Sequence, residues 1–107
     1  MWKVLFSAQA EKDIQKLVKE KQLSESDREV IATWIKQIQE FGPESLQQGS
    51  NFWYDHELFD ELKGHRSSAY SFKGRLIYRI EKKKIVVLVV KITATQNYSG
   101  GSNERNE

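Results

Sequence analysis

Ile85 to Val90, Ile-Val-Val-Leu-Val-Val, is the longest uninterrupted apolar run in the chain. A helix that crosses a bilayer needs ~20 apolar residues, so a run of six falls far short. Its β-branched composition fits a central strand covered on both faces. Such a strand needs neighbours along both edges and a layer packed above it. At 107 residues the chain has room for one such domain and no second core.

The rest of the sequence supplies the missing pieces. Trp2 to Phe6 reads as a short strand. Ser7 then caps a helix through about Lys21, with Ile14, Leu17 and Val18 on one stripe. A second helix starts near Ser24, where Ser24 and Asp27 form a variant capping box, and runs to Phe41 before Gly42-Pro43 stops it. Residues 42–51 form a connecting loop. Phe52-Trp53-Tyr54 returns the chain to the core, and Leu58 to Leu62 reads as a short strand or irregular edge. Ser67 to Phe72 and Arg75 to Glu81 have strand composition, with Lys73-Gly74 as a hairpin turn between them. The expected fold is α+β: two N-terminal helices packed on a mostly antiparallel, twisted sheet of four to five strands. Residues 1–98 make one domain, and the polar tail from Ser99 to Glu107 has nothing to bury and is expected to be disordered.

Charge is distributed unevenly over these elements. Lys63 to Lys91 contains nine Lys or Arg and one acid, Glu81, giving +8, whereas residues 1–62 carry −5 and residues 92–107 carry −1. A near-neutral chain therefore contains a strongly basic half, which suits a polyanionic partner, although lysine-studded strands also serve simply to resist edge pairing. Alternation puts Arg66, Ser68 and Tyr70 on one face of a strand, and Arg75, Ile77 and Arg79 on one face of the next. If those faces coincide, guanidiniums and a phenol converge on a patch suited to gripping phosphates and stacking bases. The plainer alternative is pairing of Arg79 with Glu81 or Asp60 and an aromatic that simply packs.

The two histidines, His56 and His65, can act as general bases or stand as surface residues beside loops. His65 is favoured because it adjoins Arg66. Tyr98 is either a stacking platform or proton carrier over the basic face, or the last core anchor before the tail. The chain has no cysteine, no Gly-rich phosphate loop, no His/Cys metal spacing and no Ser/His/Asp set, so no metal and no small-molecule cofactor are expected. The absence of cysteine and of any long apolar run fits the cytoplasm and no membrane association.

Leu62-Lys63-Gly64, then Gly74-Arg75-Leu76-Ile77-Tyr78-Arg79-Ile80, then the strand Lys84-Ile85-Val86-Val87-Leu88-Val89-Val90 resemble the RelE/ParE superfamily of bacterial toxin–antitoxin toxins. The strand–helix–helix opening extends the likeness loosely. The RelE branch, as the resemblance implies, cleaves mRNA at the ribosome without metal, using the 2′-hydroxyl as nucleophile, and is neutralised by a cognate antitoxin protein. On that resemblance the catalytic candidates are Arg66, Arg75, Tyr98 and His65. Lys63, Ser68, Lys73 and Arg79 are the RNA-binding candidates. Ser68 stands where some members carry a second lysine, Thr95 where some carry an arginine, and Gln96-Asn97 where others place a histidine and an acid. The ParE branch shares the fold but binds DNA gyrase, and a catalytically silent RNA- or antitoxin-binding module is a further alternative. Arg66, Arg75 and Tyr98 lining one face favours catalysis, whereas a buried or salt-bridged Arg75 favours the other readings.

Overall fold

The computed structural model describes residues 1–95. Strand β1 (Lys3–Phe6) leads into helices α1 (Ala8–Lys19) and α2 (Glu25–Phe41), followed by strands β2 (His56–Glu57), β3 (Arg66–Ala69), β4 (Arg75–Glu81) and β5 (Val86–Thr93). Gln96, Asn97, Tyr98 and the 99–107 tail lie outside the described residues.

Both helices begin as their caps dictate. Ser7 Oγ accepts from the Ala10 amide at 3.1 Å, and Ser24 and Asp27 form the reciprocal capping box, each side chain 3.0 Å from the other's amide. Helix α2 ends at Gly42, whose φ of +86° only glycine adopts freely. A Cβ there would also sit 3.2 Å from the Trp2 indole nitrogen.

The strands form one five-stranded sheet in the order β1-β5-β4-β3-β2, with β1 parallel to β5 and every other pair antiparallel. β5 therefore has neighbours on both edges, as its apolar run requires. Val4 and Phe6 of β1, Leu76 and Tyr78 of β4, and Val87, Val89 and Ile92 of β5 pack against Ala10 and Leu17 of α1 and Ile31, Trp34 and Ile38 of α2. The helices thus cover one face of the sheet.

Of the two readings of Leu58 to Leu62, the irregular edge holds: β2 is His56–Glu57, the Leu58 amide makes one further bond to the His65 carbonyl at 3.0 Å, and Asp60–Leu62 is a single 3₁₀ turn that a left-handed Asp60 (φ +58°) starts. One local expectation is corrected. The connection from β3 to β4 is longer than a two-residue hairpin, because β3 stops at Ala69 and the Tyr70 amide donates to the Gly74 carbonyl at 3.1 Å. The Tyr70 ring lies over Gly74 so closely that a Cβ there would fall 2.3 Å from Tyr70 Cζ.

Candidate functional site

The register decides which basic side chains meet. Arg66 pairs with Tyr78, which is wholly buried against Trp34 of α2, so Arg66 stands on the helix-covered face. Arg75 pairs with Ala69 and Thr93, three positions before Tyr78 on a continuous strand, and so stands on the opposite face. The expected convergence of Arg66 with Arg75 does not occur, because the β3–β4 register sets the two alternating faces in opposition.

Arg66 is instead committed to a buried carboxylate. Its Nε lies 2.7 Å from Asp55 Oδ1. Asp55 Oδ2 accepts from Ser68 Oγ and from the Tyr78 hydroxyl, both at 2.6 Å, and Ser68 Oγ accepts from the Trp34 indole at 3.0 Å. Ser68 is therefore a fully buried core residue rather than an RNA contact. Burial opposes the Arg66 charge, but the Asp55 hydrogen bond and charge outweigh it and hold the guanidinium more firmly protonated than usual. His65 and Arg66 line a separate cavity of about 270 Å³ with Glu57, Gly64 and Ile80, into which the Arg75 side chain does not reach. There His65 Nδ1 is buried with no hydrogen-bond partner among the described residues.

Asp55 also fastens the strap that precedes β2. Asn51 holds the Asp55 backbone from both sides, its Oδ1 accepting from the amide at 2.9 Å and its Nδ2 donating to the carbonyl at 3.2 Å. Trp53 is buried and its indole donates to Gln37 of α2 at 3.1 Å. With Trp53 and Asp55 drawn inward, the intervening Tyr54 is left 63% exposed and forced to φ +49°, a left-handed conformation that is costly for an aromatic residue and that tends to occur at functional sites.

Around Tyr54 the face turned away from the helices gathers its polar groups. His56 pairs with Ser67, Ser67 with Ile77 and Ile77 with Lys91, placing His56 and Lys91 on the Arg75 face. The Arg75 guanidinium carbon lies 6.0 Å from the Tyr54 ring centroid, and the Tyr54 and His56 rings meet edge-on at 5.4 Å. His56 Nδ1 is 3.0 Å from the Tyr54 carbonyl oxygen. A carbonyl only accepts, so the ring donates this hydrogen bond from Nδ1, and in that tautomer the acceptor lone pair is on Nε2.

Arg75 is 4% exposed, and its Nη1 donates to the carbonyls of Ser71, Phe72 and Gly74 at 3.3, 3.2 and 2.9 Å. Its Nε is buried without a partner, and none of the ion pairs among the described residues involves it. Burial alone favours the non-catalytic readings. A buried guanidinium that meets no carboxylate among the described residues is, however, suited to an oxyanion, since an unpaired buried charge is costly and an anion relieves it.

Lys91 reaches this face through a β-bulge. Tyr78 pairs with Val89 and Ile77 with Lys91, so Val90 is the extra residue. Strict alternation from Val87 and Val89 would have aimed Lys91 into the core; the bulge turns it outward. Helix α1 satisfies the disrupted ladder, Asp13 accepting from the Ile92 amide at 3.0 Å and Ser7 Oγ donating to the Val90 carbonyl at 3.3 Å. Arg79 shares the face but is held by Glu81 at 2.9 Å, while Lys63 and Lys73 are exposed on loops. His56, Tyr54 and Lys91 thus join Arg75 in place of Arg66, Ser68 and His65. In the sequence His56 stands out as one of two histidines and Lys91 as the end of the basic segment, whereas Tyr54 shows only as part of an aromatic run returning to the core.

No protein-family model matches the chain, and no curated protein matches it in sequence. Solved structures do match. YoeB in the heterotetrameric YoeB–YefM toxin–antitoxin complex of Staphylococcus aureus has 19% identity over 92% of this chain and 99% of that one, with a TM-score of 0.63. YafQ from E. coli has 18% identity over 90% of this chain and 94% of its own, with a TM-score of 0.69. A YoeB/ParE toxin from Agrobacterium tumefaciens has 14% identity over 84% and 94%, with a TM-score of 0.64. The fold is that of the RelE-like toxins, two helices on an open mixed sheet.

Proposed function

We propose that this chain is a RelE/ParE-type toxin of a type II toxin–antitoxin pair that cleaves mRNA at the ribosome. The observation that carries the reading is Arg75: a buried, carboxylate-free guanidinium with an unpartnered Nε, beside a histidine whose Nε2 is left as an acceptor. A phosphate at Arg75 would supply the acceptor that the Nε–H lacks, and charge developing on its oxygens during attack would be stabilised most where water is excluded. His56 Nε2 would take the proton of the ribose 2′-hydroxyl. That oxygen would attack the adjacent phosphorus, breaking the bond to the 5′-oxygen and leaving a 2′,3′-cyclic phosphate and, once the leaving oxygen is protonated, a 5′-hydroxyl. Lys91 would attract the strand, as would Lys73 and Lys63. Tyr98 is a further candidate for the proton donor to the leaving group.

The solved neighbours support the partner as well, since YoeB is held by YefM in a toxin–antitoxin complex. By analogy the cognate antitoxin would cover the basic face with an acidic segment. Inducible expression in a host cell, with mapping of new 5′ ends on abundant mRNAs, tests the reading. Cuts at codon-phased positions that Arg75→Ala removes are the expected result. Growth arrest without cuts would transfer the assignment to the gyrase-binding branch, which the burial of Arg75 also fits.

A further inference from the structure

Asp13 is out of place by local rules. It lies past the first turn of α1, where an acid would suit the helix dipole, and aspartate is a poor residue for a helix interior. None of the ion pairs among the described residues includes it. Both of its oxygens are nevertheless engaged: Oδ1 accepts from Gln9 Nε2 at 2.9 Å, one turn earlier, and Oδ2 accepts from the Ile92 amide of β5 at 3.0 Å.

That amide is not the one an unbroken strand would offer. The Ser7 amide donates to the Val89 carbonyl at 2.9 Å, so Val89 turns its backbone groups towards the edge of β5 that β1 and α1 flank. Alternation would next turn those of Lys91 the same way, but the extra residue Val90 shifts the phase and turns Ile92 there instead. Asp13 therefore binds the bulged form of the strand. Ser7 Oγ, donating to the Val90 carbonyl at 3.3 Å, ties the extra residue to the start of the same helix. A cavity of about 250 Å³ lined by Asp13, Leu17, Lys91, Ile92 and Thr93 among others lies beside the bond, so close packing does not brace this stretch there.

The phase decides what Lys91 can reach. Arg75 pairs with Thr93 and Ile77 with Lys91, so Lys91 is the diagonal neighbour of Arg75 on the same face. Diagonal neighbours lie about 7–8 Å apart, within reach of a long side chain. No ion pair among the described residues holds Lys91 elsewhere. In the unbulged phase Lys91 would turn beneath the helices, and Ile92 would stand in its place.

We infer that Asp13 is a positioning residue: its bond to the Ile92 amide locks the bulge that sets the Lys91 ammonium beside the phosphate held at Arg75. This rests on the reading of Arg75 as the phosphate site and adds to it a residue of helix α1, on the far side of the sheet. Asp13 touches neither the RNA nor the reacting atoms and acts only through Lys91. The core fixes the face that Ile92 takes, and Asp13 fixes where its amide, and with it the preceding lysine, stands.

The test is single-turnover cleavage of mRNA over a range of ribosome concentrations, with rates normalised to the folded fraction. The proteins are wild type, Arg75→Ala, Lys91→Ala, Asp13→Ala, Asp13→Asn and the double variant Asp13→Ala/Lys91→Ala. Asparagine keeps an oxygen for the Ile92 amide, and Gln9 can turn its own amide over to accept from the new NH₂, so Asp13→Asn removes the charge and keeps the bond. Lys91→Ala and Asp13→Ala should each lower the saturating rate by about 10- to 100-fold and leave half-saturation little changed, because a lost or misplaced cation is felt mainly in the transition state. Asp13→Asn should stay within about threefold of wild type. The double variant should match Lys91→Ala within about twofold, since Asp13 has nothing to position once the lysine is gone. With Arg75→Ala slow, three results refute the inference and spare the phosphate site: wild-type rates in Lys91→Ala or Asp13→Ala, an Asp13→Asn as slow as Asp13→Ala, or an undiminished effect of Asp13→Ala when Lys91 is absent. If Arg75→Ala cleaves as wild type does, or wild type leaves mRNA intact, the phosphate site is refuted and the inference with it.

Discussion

Arg66 and Arg75 stand on opposite faces of the sheet, Arg66 across from Tyr78 beneath the helices and Arg75 across from Ala69 on the other side. Each is partly or wholly buried, yet among the described residues only Arg66 meets a carboxylate, Asp55 at 2.7 Å. One arginine completes a structural network, and the other donates to the backbone carbonyls of Ser71, Phe72 and Gly74. The division of roles follows from register alone.

The Asp55 network holds the strap that carries Tyr54 and His56. Asp55→Ala would strand the Arg66 guanidinium and leave the hydroxyls of Ser68 and Tyr78 without their acceptor. A loss of about 3–5 kcal/mol is expected, as for breaking other buried ion pairs. Urea unfolding measures it, and a shift below about 1 kcal/mol would show that the network does not hold the strap.

Gly74 is required by the Tyr70 ring rather than by its own backbone. A Cβ at 2.3 Å from Tyr70 Cζ must displace a ring that is anchored by its hydroxyl to the Thr93 carbonyl at 2.9 Å. Gly74→Ala should cost about 1–3 kcal/mol, the usual range for overpacking. In a Tyr70→Ala background the same substitution should cost distinctly less, the Ser71 hydroxyl at 2.7 Å being the remaining obstacle. Equal costs in both backgrounds, read from a double-mutant cycle, would contradict the contact.

Alkaline pH should unfold the protein through its buried phenols. Burial and the charge of Asp27, only partly opposed by Arg75, push Tyr70 up to about 12. Burial and Asp55 push Tyr78 higher still. The folded state therefore keeps these protons when the unfolded chain has begun to release them, at about pH 10. The resulting stability is fully present below that pH and is lost as pH rises towards 12 and beyond. Thermal melts between pH 8 and 12 should show Tm falling above pH 10, with a shallower fall in Tyr78→Phe. A flat profile would be inconsistent with buried, protonated phenols.

Much of the architecture was legible from residues alone. Ser7, the Ser24–Asp27 box and Gly42-Pro43 marked the helix ends, and the β-branched run from Ile85 marked an interior strand, because each of these signals is local. The candidate site was less legible because its composition depends on non-local facts. Period-2 reasoning correctly grouped Arg66 with Ser68, and Arg75 with Ile77 and Arg79, but could not say how β3 registers on β4. That single offset separates Arg66 from Arg75. Lys91 was hidden by a bulge at Val90 that no residue preference announces. Asp55 and His56 are adjacent in sequence and serve opposite faces, which only the anchoring of Asp55 by Arg66, Ser68 and Tyr78 makes plain.

The most direct test of the proposed site is single-turnover cleavage of mRNA on programmed ribosomes by purified wild type, Arg75→Ala and Arg66→Gln, with rates normalised to the folded fraction. Arg75→Ala should lower the rate by about 10²-fold or more, the loss of one donor to the developing oxyanion, while Arg66→Gln stays within about threefold of wild type. Full activity in Arg75→Ala, or a collapse confined to Arg66→Gln, would contradict the assignment of the site to the face turned away from the helices.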